Sequence, residues 1–246
     1  MASAVAGRPR PAGFWLVAAA LAALTLLCWY YLAAWPMPMP GATGVRAPAY
    51  VGLTFVMWLL MMVAMMTPSA APAVLLFHRV QRGAWQRTIA FVAGYFAAWA
   101  VYSLAATVAQ VLLIEAGRVD TMGAATSRLT SAVLLAGAAI WQWLPAKAAC
   151  LEQCRAPAEF LVAHHHPGTL GALRTGIRHG IYCVGCCWAL MLLLFVGGVM
   201  SLAWVGGITL LVALEKLAPG GIWTRLLISA GLLLAAVAVA LGVPVT

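Results

Sequence analysis

Charged residues are scarce in this sequence, and acidic residues are the scarcest. Only 8% of the 246 residues are charged, and aspartate and glutamate together number 5. Soluble domains carry about 25% charged residues, so a soluble globular domain is excluded. The formal charge of +9 does not by itself indicate a nucleic-acid partner, because basic residues of membrane proteins collect in cytoplasmic loops.

The sequence also lacks the motifs of several enzyme and pump classes. It has no nucleotide-binding glycine loop, no aspartyl motif of P-type ATPases and no serine–histidine constellation. No acidic residue falls in the middle of a predicted span, which argues against a proton pump built on a membrane carboxylate. Glu115, Glu215 and Gln110 are weak candidates for ion handling. We expect both glutamates at the ends of spans, where water can solvate them.

Apolar residues, in contrast, make up 65% of the chain. Several apolar runs approach or exceed the ~20 residues that a helix needs to cross a bilayer. We predict an all-α, polytopic transmembrane helix bundle with about seven spans, or six if residues 181–214 do not turn near Gly198–Trp204. The predicted spans are 13–34, about 50–66 with a possible extension to about 77, about 88–114, about 128–145, two within 181–214, and about 222–243. Residues 1–12 are expected to be a disordered cytoplasmic tail, and 13–246 a single transmembrane domain with a cytoplasmic segment at 146–180.

The basic residues predict the orientation of this bundle. With the N-terminus in the cytoplasm, three basic residues fall outside, namely Arg46, Arg118 and Arg128, and the other eleven of the 14 fall inside. Such asymmetry follows the positive-inside rule. It also predicts that the cysteines at 150–187 lie at the cytoplasmic face, where reducing conditions disfavour structural disulfides.

Five of the six cysteines fall in two groups on either side of this cytoplasmic segment. Cys150 and Cys154, the first cysteine pair, are four residues apart and share one face of a helix. Arg155 beside them would favour the thiolate, the form that binds metal. Cys183, Cys186 and Cys187, the second cysteine cluster, fall on one arc of about 100° if helical. Met191 continues that face, although thiols also pack as small apolar groups.

A methionine run precedes these cysteines in the second predicted span. Its members are Met57, Met61, Met62, Met65 and Met66, and Pro68 and Pro72 follow. Met61 and Met65 are one pair at helical spacing and Met62 and Met66 another, but the five spread over about 180° of the helix. One ion cannot use them all, and methionine fills cores adaptably. Core or lipid packing is therefore the default interpretation, and metal binding the alternative.

The remaining candidates are histidines and an isolated thiol. The tract His164–His166 could capture a metal from the cytosol or could be a solvated loop. His78 and His179 are expected near the cytoplasmic interface as polar anchors, with His179 the weaker member of the candidate ligand set. Cys28 is expected to be a buried structural thiol, because it lies within the first apolar run.

Three stretches resemble a bacterial family of predicted metal-binding integral membrane proteins, a domain of unknown function. They are Trp58 to Pro68 around the methionines, Lys147 to Pro157 around the first cysteine pair, and Gly180 to Met191 around the second cysteine cluster. The segment from Glu215 to Pro219 is also similar, so the resemblance covers about residues 50–221. It implies metal binding in a multi-pass protein of the bacterial inner membrane, and it leaves the activity open.

Thiolate and thioether ligands together favour Cu(I), whereas thiolates alone also suit zinc and iron–sulfur clusters. The leading hypothesis is a Cu(I)-binding membrane protein for copper handling, transport or delivery. Its candidate ligands are Cys150, Cys154, Cys183, Cys186, Cys187, Met191, Met61, Met62, Met65 and His179. The expected partners are the lipid bilayer, the metal ion, and a soluble metallochaperone or a cuproenzyme, with no nucleic acid.

Two alternatives remain open from the sequence. Cys183 and Cys186 have the spacing of a thiol–disulfide oxidoreductase, although a cytoplasmic placement argues against that enzyme. Four cysteines could also form a tetrahedral structural zinc site, which would pin the cytoplasmic segment to the bundle.

Overall fold

The computed structural model describes residues 13–34, 44–164, 166–218 and 221–243, and within them the chain is all-α. The predicted tail at 1–12 and His165 lie outside the described residues. The helices are α1 (Phe14–Ala34), α2 (Pro48–Val80), α3 (Trp85–Glu115), α4 (Arg128–Trp143), α5 (Pro145–Arg155), α6 (Pro157–Ala163), α7 (Gly168–Leu192), α8 (Leu194–Gly197), α9 (Leu202–Leu217) and α10 (Gly221–Ala240).

Five helices in the described part of the chain are long and apolar enough to cross a membrane. A sixth span results if α4 and α5, which meet at an angle of 71°, form one broken span. The prediction of about seven spans is not confirmed. The chain does turn within 181–214, because α7 and α8 are followed by Gly198 with φ +89°. However, α9 has only 16 residues, which at 1.5 Å per residue is shorter than the ~30 Å hydrocarbon core.

Helix α2 continues through both of its prolines. Proline lacks an amide donor, so the carbonyls of Ala64 and Pro68 lose their usual intrahelical partners. Two hydroxyls beside the first proline also bond to the helix backbone, since Thr67 donates to Val63 O at 2.6 Å and Ser69 donates to Met66 O at 3.0 Å. The possible extension to about 77 is therefore confirmed, and α2 reaches Val80 as one helix of 33 residues.

Glycines hold α3 and α7 unusually close together. A Cβ atom added at Gly176 would lie 2.0 Å from Phe91 O, and one added at Gly94 would lie 2.2 Å from Leu173 O. Small residues at helix interfaces allow this backbone approach, which is typical of membrane helix pairs. The contact fixes α7 against α3 and brings Tyr95 of α3 beside Cys183 of α7.

The bundle has two chemically different ends. At one end an exposed ion pair joins Arg46 to Glu115, and Ala125 N donates to Phe195 O at 2.7 Å. At the other end α5, α6 and the first turns of α7 pack together with the end of α9. All five cysteines of the two groups lie towards this second end, packed in or against the largest hydrophobic core of the described residues.

Candidate metal site

The second cysteine cluster lies on the buried face of α7. Cys183, Cys186 and Cys187 are each at most 2% exposed. The thiol of Cys186 donates to Cys183 O at 3.1 Å, and that of Cys187 donates to the same oxygen at 2.9 Å. Met191, one turn further on, is fully buried on the same face. The predicted soft face of this helix therefore points into the bundle.

The first cysteine pair meets this cluster because α5 packs across α7. Cys154 Sγ lies 4.0 Å from Cys186 Sγ. Cys150 Sγ lies against Gly185, where an added Cβ would be 2.8 Å from the sulfur. Both thiols of the first pair are half-buried. Cys154 and Cys186 are 32 residues apart in sequence, and their contact joins the two groups into one sulfur cluster.

The sequence interpretation missed Lys216, which contacts this cluster at Cys183. Its Nζ donates to Cys183 Sγ at 2.9 Å and to Ser69 Oγ at 3.3 Å, and it lies 3.9 Å from Met66 Sδ. Tyr95 Oη is the second polar neighbour of Cys183 Sγ, also at 2.9 Å. From the sequence, Lys216 counted towards the positive-inside rule and lay in the Glu215 to Pro219 segment of the family resemblance, but it was not a candidate site residue. The signals that could have singled it out are that resemblance and its position next to Glu215 at the end of an apolar run.

A buried ion pair lies next to the sulfur cluster. Lys147 Nζ of α5 is 2.8 Å from each carboxylate oxygen of Glu215 on α9. The two side chains are 0% and 1% exposed. The expectation that water solvates Glu215 is therefore wrong, because α5 folds over the end of α9 and supplies a lysine instead. The pair fixes α5, and with it the first cysteine pair, against the bundle.

Arg155 does not support the first cysteine pair as expected. Its guanidinium donates to the carbonyl oxygen of Ala218, at the end of α9. That contact joins the end of α5 to the end of α9, so Arg155 has a structural role there. The cation that contacts a candidate thiol is Lys216.

The methionines of α2 are all core residues. Met57, Met61, Met62, Met65 and Met66 are at most 5% exposed, and all belong to the hydrophobic cluster that contains Cys183, Cys186, Cys187 and Met191. Lipid-facing packing is thereby excluded for them. Met66, which was not in the candidate ligand set, is the one whose sulfur contacts Lys216. Its neighbours Met61, Met62 and Met65 occupy the same core.

The histidines lie in an adjoining aromatic layer. His179 is 3% exposed, with its ring 4.9 Å from that of Phe160 and 5.7 Å from that of Tyr95, and its Nδ1 has no hydrogen-bond partner among the described residues. His164 Nδ1 lies 3.0 Å from Phe160 O. His78 is fully buried beside Thr88, so neither His78 nor His179 is a solvent-facing polar anchor, and their position near the interface stays a prediction. Both rings are covered because α6 and α3 pack over these helices.

Soft donors converge here, but they are not arranged around a common point. Within the described ranges, no three His, Cys, Asp or Glu side chains already have the geometry to hold an ion. Two of the thiols are turned towards Cys183 O, and a rotation about χ1 would redirect them. Sulfur donors at this density suit Cu(I), which accepts few ligands and prefers thiolate and thioether. The donor types are therefore those that copper prefers, and side-chain rotation would be needed to bring them onto one ion.

Comparison with known proteins agrees with this chemistry. The model of a family described as PpoB2, copper chaperone, matches residues 55–241. No curated protein and no solved structure matches the chain. The match spans α2 to α10 and so contains the sulfur cluster, Lys216 and the α2 methionines. Because it covers far more than half of the sequence, this chain belongs to the PpoB2 copper chaperone family.

Proposed function

We propose that this protein is an integral membrane chaperone that binds Cu(I) through the sulfur cluster and delivers it to a cuproenzyme. Copper handling follows from the family. We further propose that the copper is Cu(I), that the protein lies in a membrane and that the sulfur cluster is the binding site. The observation that carries it is the contact of the two cysteine groups at Cys154 and Cys186, whose sulfur atoms lie 4.0 Å apart.

Cys150, Cys154, Cys183, Cys186 and Cys187 are proposed as the ligands from which a binding subset is drawn. Cu(I) replaces the thiol protons, so that each bound sulfur releases one proton as the ion is captured. The half-buried first pair is the accessible side of the cluster and receives the ion. The buried second cluster then holds it between α5 and α7. Ligand exchange between neighbouring sulfurs requires no large movement of the backbone.

The methionines are proposed as weaker onward ligands. Met191 lies one turn beyond Cys187, and Met61, Met62 and Met65 lie in the same core. Neutral thioethers bind Cu(I) without adding charge, which suits passage through an apolar interior. Zinc seldom uses thioether, so the methionines favour copper over a structural zinc site. His179 stays a secondary candidate, because its ring is enclosed by aromatic residues.

The proposed setting is the bacterial inner membrane, with the N-terminus and the sulfur cluster on the cytoplasmic side. In this orientation α5 and α6 belong to a cytoplasmic segment at 146–180, within a single transmembrane domain at 13–246. A cytosolic metallochaperone could reach the first cysteine pair directly. The positive-inside asymmetry of the basic residues supports this orientation.

The test is a count of metal in the detergent-purified protein, loaded with Cu(I) in reducing buffer. Changing Cys183, Cys186 and Cys187 together to serine should abolish stable copper binding. The matched control is Cys28→Ser, because Cys28 is a buried free thiol in the same core but outside the cluster. Full copper content in the triple variant would refute the proposed site. Elemental analysis that found zinc in place of copper would favour the structural alternative.

A further inference from the structure

Lys216 is a buried cation without a carboxylate partner among the described residues. It is 6% exposed, and its Nζ contacts Cys183, Ser69 and Met66. The nearest carboxylate in sequence, Glu215, is occupied by Lys147. A buried charge is costly unless it is paired. The contact partner that can carry a negative charge is the thiol of Cys183, at 2.9 Å.

The charge of a bound ion decides whether this lysine helps or opposes binding. Two thiolates and one Cu(I) carry a net charge of minus one, which a single ammonium neutralises. Two thiolates and a divalent ion are already neutral, so the same ammonium leaves an excess positive charge. Four thiolates and a divalent ion carry a net charge of minus two, of which one ammonium neutralises half, so the selection applies to a site of two thiolates. The Lys147–Glu215 pair is neutral as a unit and does not change this balance.

We propose that Lys216 is a specificity-determining residue that selects monovalent copper at Cys183 by neutralising the copper–thiolate unit. This inference rests on the proposed function, since it needs Cu(I) on the sulfur cluster. The ammonium keeps its hydrogen bond to a lone pair of Cys183 Sγ while another lone pair of that sulfur binds the ion. Tyr95 supports the same sulfur from α3.

The experiment compares Lys216→Met with Lys216→Arg in the full-length, detergent-purified protein. Cu(I) affinity is measured by competition with a chromophoric Cu(I) chelator, and Zn(II) affinity by competition with a zinc dye. At an effective dielectric of about 20, loss of a unit charge next to the site should weaken Cu(I) binding by roughly tenfold or more. Lys216→Arg keeps the charge and should retain the preference for Cu(I). Zn(II) held by two thiolates should not weaken in parallel in Lys216→Met, and an equal weakening of Zn(II) and Cu(I) binding would overturn the selection.

A double variant, Lys147→Met with Glu215→Leu, is the matched control. It removes an equally buried lysine together with its partner, and the two apolar side chains keep α5 packed on α9 without changing the net charge. Its Cu(I) affinity should stay within about threefold of the unchanged protein, a range that corresponds to less than 1 kcal/mol. The ultraviolet copper–thiolate absorption band reports separately whether the thiolates still bind copper in each variant.

The outcomes separate the two proposals. If the unchanged protein does not bind Cu(I) through its cysteines, the proposed function fails. If it does, and Lys216→Met keeps both the affinity and the preference of the unchanged protein, only the role of Lys216 is overturned. An equal loss in Lys216→Met and Lys216→Arg also overturns it, because it would indicate packing and not charge.

Discussion

Lys147 of α5 and Glu215 of α9 form an ion pair that is almost completely shielded from solvent, with Nζ 2.8 Å from the carboxylate. The pair lies beside the sulfur cluster, and it connects the helix that carries the first cysteine pair to the helix that carries Lys216. Removal of either partner leaves an uncompensated charge in the interior, whereas removal of both does not.

Glu215→Gln and Lys147→Ala are therefore expected to destabilise the protein strongly, by about 3–5 kcal/mol. The double variant Lys147→Met, Glu215→Leu should recover most of that loss. Unfolding of the detergent-purified protein, followed by circular dichroism during heating, measures the effect. The control is Glu115→Gln, because Glu115 pairs with Arg46, which is 78% exposed, and exposed pairs contribute only about 0–1 kcal/mol. Equal decreases in unfolding temperature for Glu215→Gln and Glu115→Gln would contradict the prediction that the buried pair contributes more to stability than the exposed one.

Cys154 and Cys186 should be the readiest pair to form a disulfide under mild oxidation. Their sulfur atoms are 4.0 Å apart, so a bond of ~2.05 Å requires only a small rotation of the side chains. The other four cysteines are changed to serine, and the protein is oxidised and then cleaved by trypsin at basic residues from Arg155 to Arg178. The fragment with Cys154 and the fragment with Cys186 should stay joined until reductant is added. A variant that keeps Cys28 and Cys186 is the control. Fragments that separate without reductant in the test variant would show that α5 does not pack on α7 as described.

Gly176→Ala should disrupt the contact between α3 and α7. The new methyl group would overlap Phe91 O, which is 2.0 Å from the added Cβ position, and backbone cannot move aside cheaply. Overpacking of this kind typically costs about 1–3 kcal/mol, and displacement of α7 from Tyr95 should also weaken copper binding. Gly137→Ala is the control, since nothing lies within 4 Å of its added Cβ. Thermal unfolding and metal content together measure both effects, and similar behaviour of the two variants would contradict the packing.

The two ends of α3 should be accessible from opposite sides of the membrane. The test uses a variant without native cysteines, into which one cysteine is introduced at a time. One position is Gln86, which is exposed in the first turn of α3. The other is Met122, which is 48% exposed in the loop after α3. In intact cells a membrane-impermeant maleimide should label Met122→Cys and reach Gln86→Cys only after permeabilisation. The reverse pattern would place the sulfur cluster outside the cytoplasm.

The local features of this protein follow from its sequence. Scarce charge and long apolar runs predict helices long enough to cross a membrane, because an apolar backbone segment in lipid must satisfy its own hydrogen bonds. The spacing of Cys183, Cys186, Cys187 and Met191 predicts one helical face, and that face is buried as expected. Even the turn within 181–214 is indicated by its glycines. The number of spans is less secure, since a helix of intermediate length such as α9 is not distinguished from a span by composition.

Only the tertiary structure decides which of these faces meet. Cys154 contacts Cys186 because α5 bends by 71° from α4 and lies across α7, a direction that no local pattern encodes. Lys216 reaches Cys183, and Lys147 reaches Glu215, through packing between helices that are far apart in sequence. The same packing turns Arg155 towards Ala218. A charged side chain near the end of a span can point to water or to the interior, and the helices that fold over it determine which.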